Sequence, residues 1–436
     1  MSIIVTKFGG TSLCDAARFQ NVASILHADP ARRYVVPSAP GKRSAQDDKI
    51  TDLLYKCHAQ AAAGEDFSET FGRVEVRYRD IAKALSLSGH WEKEMETIRK
   101  RIPEEKTPDY AASRGEYLCG VLLAEYLGWD FVDPKNLVWF AEDGRLDGAR
   151  TEAACRNALE SHEYAVIPGF YGSLPDGRIH TFSRGGSDIT GAIVASAVIA
   201  SLYENWTDVT GFLMADPRIV ENARLIDCLT YRELRELSYM GASVLHEDAI
   251  FPVRKKGIPV NIRSTMNPEH PGTRIVPQAD RVDSTITGIA GHKGFCVVTV
   301  EKAMMNMEAG FGRRVLQAVE EQNISFEHMP SGIDTLCVVL HGEQLKGKET
   351  ALVNRIHELT EPDFVDVKSD MALIATVGRG MVRQRGTSGK LFSALTQAGV
   401  NVRMIDQGSS ELNIIVGVDD NDFETAVRAI YKAFVE

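Results

Sequence analysis

Four stretches of this chain set charged side chains against glycines at spacings that suit an anionic ligand. Ser183-Arg-Gly-Gly-Ser-Asp188 places a guanidinium and a carboxylate on either side of two glycines. Gly185 and Gly186 let the backbone turn sharply and approach a ligand closely, and Ser187 or Asp188 is placed to cap the helix that follows. A helix N-terminus with free N–H groups is an anion site. Lys7-Phe-Gly-Gly-Thr-Ser12 repeats the theme, with Gly9, Gly10, Thr11 and Ser12 behind a lysine. Ser113-Arg-Gly-Glu116 adds a carboxylate beside a glycine, and Thr207-Asp-Val-Thr-Gly211 with Asp216-Pro-Arg218 gathers Thr207, Asp208, Asp216 and Arg218 in a Gly/Pro-punctuated loop. Lysine, arginine and aspartate without a nucleophile–base pair suit phosphoryl transfer, which is mostly positioning and charge stabilisation. Each stretch also has a plainer reading. The glycines serve as strand-to-helix turns, Lys7 faces solvent, Glu116 complements a helix dipole from the first turn, and the last loop is turn chemistry.

Magnitudes decide part of this. A helix terminus contributes roughly 0.3–1 kcal/mol to binding an anion, and ~2 when partly buried. Micromolar affinity needs about 8 kcal/mol. Helix ends alone cannot hold a nucleotide, so cations must contribute. Lys7 is the first candidate and Mg²⁺ the expected companion. The pattern is neither a Walker A loop nor GxGxxG, since Lys7 precedes its glycines.

The elements that must carry these residues read as α/β. Ser2 to Phe8 is a continuous β-branched run, as in strands buried on both faces. A helix with Phe19, Val22, Ala23 and Leu26 on one face follows. Arg33-Tyr-Val-Val36 is a second strand, with Ser38 at its carboxyl end, where open α/β sheets place ligands. Ser44 to Lys49 is a polar loop ahead of a helix from Ile50, and residues 62–108 read as charged helices. Tyr117 to Leu127 is a helix opened by Ser113–Glu116. Tyr164 to Tyr171 is a strand-length apolar run, Ile189 to Leu202 an apolar helix, and Leu237 to His246 a helix around Gly241. His246 reads as structural. Ile258 to Ile262 is a further strand, and composition changes after Thr273.

The bulk properties exclude several classes. At 436 residues the chain has room for two or three domains. A net charge of −11 without a long basic run argues against nucleic acid. Seven scattered cysteines with no CxxC spacing argue against a disulfide framework or structural zinc. No basic-then-apolar leader and no membrane-length apolar run occur, so a soluble cytoplasmic protein is expected.

The C-terminal third repeats itself. Val315-Leu316 and Ala318-Val319 match Leu391-Phe392 and Ala394-Leu395, Ile324-Ser-Phe326 matches Val400-Asn-Val402, and Val297-Val298 matches Leu373-Ile374, all offset by 76 residues. Each copy reads strand, glycine loop (Gly310, Gly386), helix, strand, strand. Two small α+β modules that pair side by side are expected.

Together, Lys7–Ser12, Ser183–Asp188, Thr207–Gly211, Asp216–Arg218, Gly241-Ala-Ser-Val-Leu-His246 and Asn267-Pro…Pro-Gly-Thr273 resemble the aspartate kinases. The C-terminal repeat resembles that family's pair of ACT domains, especially at Leu391-Phe-Ser-Ala-Leu395 and Gln407-Gly-Ser-Ser-Glu-Leu-Asn413. The resemblance runs the length of the chain. It implies a mainly parallel open sheet sandwiched by helices, the amino-acid kinase fold, over residues 1–280. Two ferredoxin-like ACT modules would follow at 285–362 and 363–436, the first inserted into the second.

The resemblance also implies transfer of the γ-phosphate of ATP to the β-carboxylate of L-aspartate, with Mg²⁺, as the first step toward lysine, threonine and methionine. Lys7 and Asp188 would be catalytic, Asp188 acting through Lys7 or through the Mg²⁺-bound nucleotide. Ser38, Thr51, Glu116, Arg184, Gly185, Gly186 and Ser187 would hold aspartate, Arg184 on a carboxylate and Glu116 on the ammonium. Lys7, Gly9, Gly10, Thr11, Ser12, Thr207, Asp208, Leu213, Asp216, Arg218 and Met266 would line the nucleotide. Leu213 and Met266 depart from the Tyr and Lys of some members. The lengthened 44–49 loop implies that Thr51 reaches the substrate only on closure. Glu308, Phe311, Gly312, Ser325, Phe326 and Glu327 would bind an inhibitory amino acid, lysine or threonine, with Glu308 and Glu327 set to neutralise a lysine side chain or simply solvated. A homodimer through the ACT modules, or a dimer of dimers, is implied. Competing readings are another kinase of the same fold and a catalytically inactive amino-acid sensor.

Overall fold

The computed structural model describes residues 2–183, 185–242, 245, 247–279 and 284–436. The chain divides into two compact units: 1–212, 227–231 and 244–279 form the first, and 213–226, 232–243 and 280–436 the second.

The first unit is built on ten strands: β1 (Ile4–Phe8), β2 (Arg32–Pro37), β3 (Asp130–Phe131), β4 (Ala165–Val166), β5 (Tyr171–Ser173), β6 (Ile179–Thr181), β7 (Leu202–Thr207), β8 (Cys228–Thr230), β9 (Val260–Ser264) and β10 (Thr273–Val276). Eight form one sheet in the order β3-β4-β2-β1-β7-β9-β10-β8, and β5 and β6 pair separately. Every pairing in the large sheet is parallel except β9 with β10. All five residues of β1 are buried, because helices cover both faces of a central parallel strand.

The helices of this unit are α1 (Ala16–His27), α2 (Ile50–Ala62), α3 (Ser68–Ala84), α4 (His90–Arg101), α5 (Asp109–Leu127), α6 (Gly148–Leu159) and α7 (Gly186–Ala197). After α8 (Tyr231–Tyr239), most of which lies in the second unit, α9 (Phe251–Lys256) completes the set. Strand side chains alternate between faces. Phe8, Val35, Val166 and Trp206 join the apolar cluster of α1 to α5. Lys7 and Asn205 therefore point to the opposite face, where α7 packs. On the Trp206 face, buried Glu204 accepts from Arg32 at 2.8 Å and from the indole Nε1 at 2.9 Å. Arg263 lies 3.4 Å from the same carboxylate, so no buried charge is left unpaired there.

Three expectations change here. Tyr164 to Tyr171 is broken, because only Ala165–Val166 pairs before the chain turns at Pro168-Gly169. α7 is capped by Gly185 in the left-handed region (φ 58°), with no side-chain cap from Ser187 or Asp188. The helix expected at Leu237–His246 instead spans Tyr231–Tyr239 and stops before Gly241; Ser243, Val244 and His246 lie outside the described residues.

The second unit holds β11 (Gly288–Glu301), β12 (Phe326–His328), β13 (Thr335–His341), β14 (Phe364–Val377), β15 (Val402–Asp406) and β16 (Asn413–Asp419). They form one sheet ordered β12-β13-β11-β14-β16-β15, antiparallel at every described pairing. Its helices are α10 (Phe311–Glu321), α11 (Gly342–Leu345), α12 (Glu349–Thr360), α13 (Thr387–Gln397) and α14 (Phe423–Val435). The repeat is visible as structure: α13 begins and ends 76 residues after α10, and β15 begins 76 after β12. Gly310 and Gly386 are both left-handed N-caps. The modules are fused rather than merely adjacent, because β11 and β14 are 14 residues long and serve both halves, with register shifts between His292 and Val297.

Candidate active site

The carboxyl ends of β1, β2 and β7 place Lys7, Ser38 and Thr207-Asp208 along one edge of the parallel sheet. Backbones meet closely there. A Cβ on Gly10 would lie 2.7 Å from the Ala39 carbonyl oxygen, and one on Gly41 2.6 Å from the Gly10 carbonyl carbon. Only glycines let these loops touch, and the Gly41 N–H donates to the Gly10 oxygen at 2.8 Å.

Lys7 Nζ lies 2.7 Å from Oδ1 of Asp188, with both side chains largely buried. Asp188 sits in the first turn of α7, where a carboxylate is favoured by the helix dipole. Among the described residues, no three or more histidine, cysteine, aspartate or glutamate side chains gather closely enough to hold a metal ion by themselves. Mg²⁺ needs only one or two carboxylates plus phosphate oxygens. Asp188, with Oδ2 not engaged by a described donor, and exposed Asp208 fit that requirement.

Glu116 is 6% exposed. Burial pushes its carboxyl up to about 8, against the lowering pull of the Ala39 N–H and of the Arg114 and Lys7 charges. Oε2 is buried without a hydrogen-bond partner. An unpaired buried acceptor is costly, and a cationic ligand group would satisfy it. Glu116 is not in a first helical turn as expected, because α5 begins at Asp109, seven residues before it. The residues Pro108-Asp109 carried that start signal. Beside it, Arg114 is 5% exposed. It donates to Ser113 Oγ at 2.9 Å and lies 4.5–4.9 Å from the ring centres of Tyr110, Tyr117 and Tyr171.

Residues 2–264 match the amino acid kinase family, and residues 374–434 match the ACT domain. The chain is 40% identical to aspartokinase 3 of Bacillus subtilis (strain 168), an alignment that covers 99% of this chain and 98% of that protein. This chain belongs to the aspartate kinases. The aspartate kinase of Clostridium acetobutylicum, described as an allosteric enzyme, is 49% identical, and its crystal structure matches with a TM-score of 0.91 over the whole of both chains. Aspartokinase III of E. coli, solved with aspartate and ADP (R-state) and with lysine and aspartate (T-state), matches at TM-scores of 0.76 and 0.74 with 26% and 27% identity, again over whole chains.

Other residues marked from the aspartate kinase pattern fall in varied settings. Arg184 lies outside the described residues. Gly185, Gly186 and Ser187 form the start of α7, and a Cβ on Gly169 would lie 2.6 Å from Ser187 Oγ. Thr51 is the second residue of α2, after the polar 44–49 loop. Thr11 is exposed, whereas Ser12 is buried with its hydroxyl 2.9 Å from that of Thr265. Thr207 Oγ1 donates to Asp208 at 3.2 Å. Met266 is 58% exposed, with its sulfur 2.5 Å from Arg18 Nη1. Leu213, Asp216 and Arg218 belong to the second unit, where Leu213 bridges Leu225 and Arg218 pairs with Asp216 at 2.6 Å.

In the first repeat copy, Glu308 already pairs with Lys302 at 2.8 Å and with Arg314. Phe311 is a core residue, Gly312 follows it in α10, and Ser325 and Phe326 are exposed. Glu327 accepts from the Tyr239 hydroxyl. Sequence reasoning passed over Asn205 and Tyr203, polar atoms on the same strand face as Lys7 that both bond to Asp188. The one signal in the sequence was an asparagine inside a strand-length run, Leu202–Thr207; that it pairs with Lys7 is decided by the sheet register.

No helix among the described residues is long and apolar enough to cross a membrane.

Proposed function

We propose that this chain transfers the γ-phosphate of ATP to the β-carboxylate of L-aspartate, giving 4-phospho-L-aspartate and ADP, on the path to lysine, threonine and methionine. The observation that carries the reading is the meeting of Lys7 and Asp188 at a glycine-lined sheet edge whose charge field reaches buried Glu116. A carboxylate oxygen of aspartate attacks the γ-phosphorus, the bond to the β,γ-bridging oxygen breaks, and ADP leaves with that electron pair. The nucleophile is already ionised, so no general base is needed. Lys7 offsets charge that develops on the transferred group. Gly9, Gly10, Thr11, Ser12, Thr207 and Asp208 line the nucleotide side, with Leu213, Asp216, Arg218 and Met266 as further contacts. Glu116 takes the substrate ammonium, Arg184 a carboxylate, and Ser38, Thr51 and the 185–187 turn place the rest. Asp188 and Asp208, together with the phosphates, would hold Mg²⁺, which would supply charge neutralisation.

The regulatory reading is that paired ACT modules, 285–362 threaded into 363–436, bind an inhibitory amino acid and join two chains into a homodimer in the cytoplasm. The fusion of the modules through β11 and β14 supports the threading. Coupled ADP-release assays across aspartate, acetylglutamate and UMP test the activity. Turnover with aspartate is expected, and none in saturating Mg·ATP overturns the proposal.

A further inference from the structure

Asp188 is held from strand β7 at two points. The Tyr203 hydroxyl donates to its backbone carbonyl at 3.1 Å, and the Asn205 side-chain Nδ2 donates to its Oδ1 at 2.8 Å. Tyr203 and Asn205 are two residues apart in the strand and share one face. α7 lies flush on that face, since a Cβ on Gly191 would come 2.6 Å from the Tyr203 hydroxyl oxygen. Lys7 and Asn205 are direct partners in the β1–β7 register, and both donate to the same oxygen of Asp188. The amide must present its NH₂ there, because its oxygen would repel the carboxylate.

The two donors differ in what they specify. A lysine ammonium is a compact charge on a flexible stem and accepts either carboxylate oxygen as partner. A buried amide is directional, and Asn205 is 4% exposed. Lys7 alone leaves the carboxylate free to turn about its last torsion; Lys7 with Asn205 does not. We propose that Asn205 is a positioning residue for phosphoryl transfer: it fixes Asp188 so that Oδ1 serves Lys7 and Oδ2 is left for the Mg²⁺ that would accompany the phosphates. This rests on the kinase reading above, but it concerns only the donor end of the reaction and holds for whichever acceptor the enzyme uses.

The test is a double-mutant cycle of Asn205→Leu and Asp188→Asn, with Asn205→Ala as a smaller variant in case leucine disturbs folding. The expected result is a 10- to 100-fold fall in kcat, roughly the worth of one or two preorganised hydrogen bonds, with KM for ATP and for the acceptor within about threefold of wild type. In the Asp188→Asn background, Asn205→Leu is expected to cost less than about threefold further, because coupled residues are not additive. Equal losses in both backgrounds, or a rise in KM with kcat kept, mean that Asn205 is only structural and overturn the proposal. A crystal structure of the Asn205→Leu protein gives a readout independent of activity. The Asp188 carboxylate is expected to rotate about its last torsion while still meeting Lys7, and an unchanged carboxylate would also overturn it. Wild-type turnover of acetylglutamate or UMP but not aspartate would sink the aspartate reading alone, and the cycle would then be read with that acceptor. A wild type that turns over none of the three sinks the kinase reading, and the crystal structure still decides the positioning claim.

Discussion

The Ala39 N–H lies close enough to Glu116 to pull its carboxyl down against the effect of burial, while Oε2 of Glu116 is buried with no hydrogen-bond partner among the described residues. The contact exists because Gly115 lets α5 lie against the 39–41 loop; a Cβ there would sit 2.9 Å from that of Ala39. The pair joins a buried carboxylate of α5 to the loop that follows β2.

That burial has a pH signature. The Glu116 carboxyl is raised to about 8 by desolvation, whereas an ammonium ligand favours the ionised form. Below that value, binding must expel a proton. KM for aspartate is expected to rise about tenfold per pH unit as pH falls below about 8. The stability sign is the reverse. A raised folded-state value favours the neutral carboxyl, and this contribution is complete below the unfolded value near 4.5 and lost as pH rises through about 8. The ligand-free protein should therefore melt lower at pH of about 9 than at about 6. Glu116→Gln should flatten that difference and raise KM roughly a hundredfold, for a charged hydrogen bond of ~3 kcal/mol. A pH-independent KM in the wild type would remove Glu116 from the ammonium.

Lys7→Ala should lower kcat by about a thousandfold, the scale of a lost preorganised charge contact. Its melting transition and sedimentation should match those of the wild type. Sedimentation and circular dichroism check this, and an unfolded variant would make Lys7 structural instead.

In the second unit, Glu233 is fully buried and accepts from Arg379 Nη1 at 2.8 Å and from Thr287 Oγ1 at 2.5 Å. Removing one partner of a buried, hydrogen-bonded ion pair is destabilising. Arg379→Ala should cost about 3–5 kcal/mol in denaturant unfolding, and the apolar double variant Glu233→Met/Arg379→Met should recover most of it. A single variant that costs less than about 1 kcal/mol would mean that water reaches the site.

Glu308 is pulled below the usual carboxylate range, chiefly by its hydrogen bond to Lys302. With Arg314 also on it, its charge is already answered within the chain. Lysine is expected to inhibit ADP release, and Glu308→Gln should shift the half-inhibiting concentration by less than about threefold. Glu327→Gln, which removes a charge met by the neutral Tyr239 hydroxyl, should shift it about tenfold, the scale of an exposed ion pair and a hydrogen bond. The reverse ranking would return Glu308 to the effector site.

What the sequence by itself determined is local. Gly10 and Gly186 mark turns where a Cβ would crowd its neighbours, and Gly185 one in the left-handed region. β1 is rich in β-branched residues and buried along its whole length because both its faces are covered. The 76-residue repeat appears again as α10 and α13, β12 and β15, because helical and strand periodicities are set by near neighbours. What only the tertiary structure decided is which side chains meet. Glu116 looked like a first-turn residue until α5 was seen to begin at Asp109, which moves it from the dipole to the site wall. Arg218 looked like a nucleotide contact on its own and is found paired with Asp216. Lys7 and Asn205 come together on Asp188 because β1 and β7 pair in one particular register. A shift of one residue would turn Lys7 or Asn205 to the other face. That register is set by packing across the whole sheet, and no spacing along the chain records it.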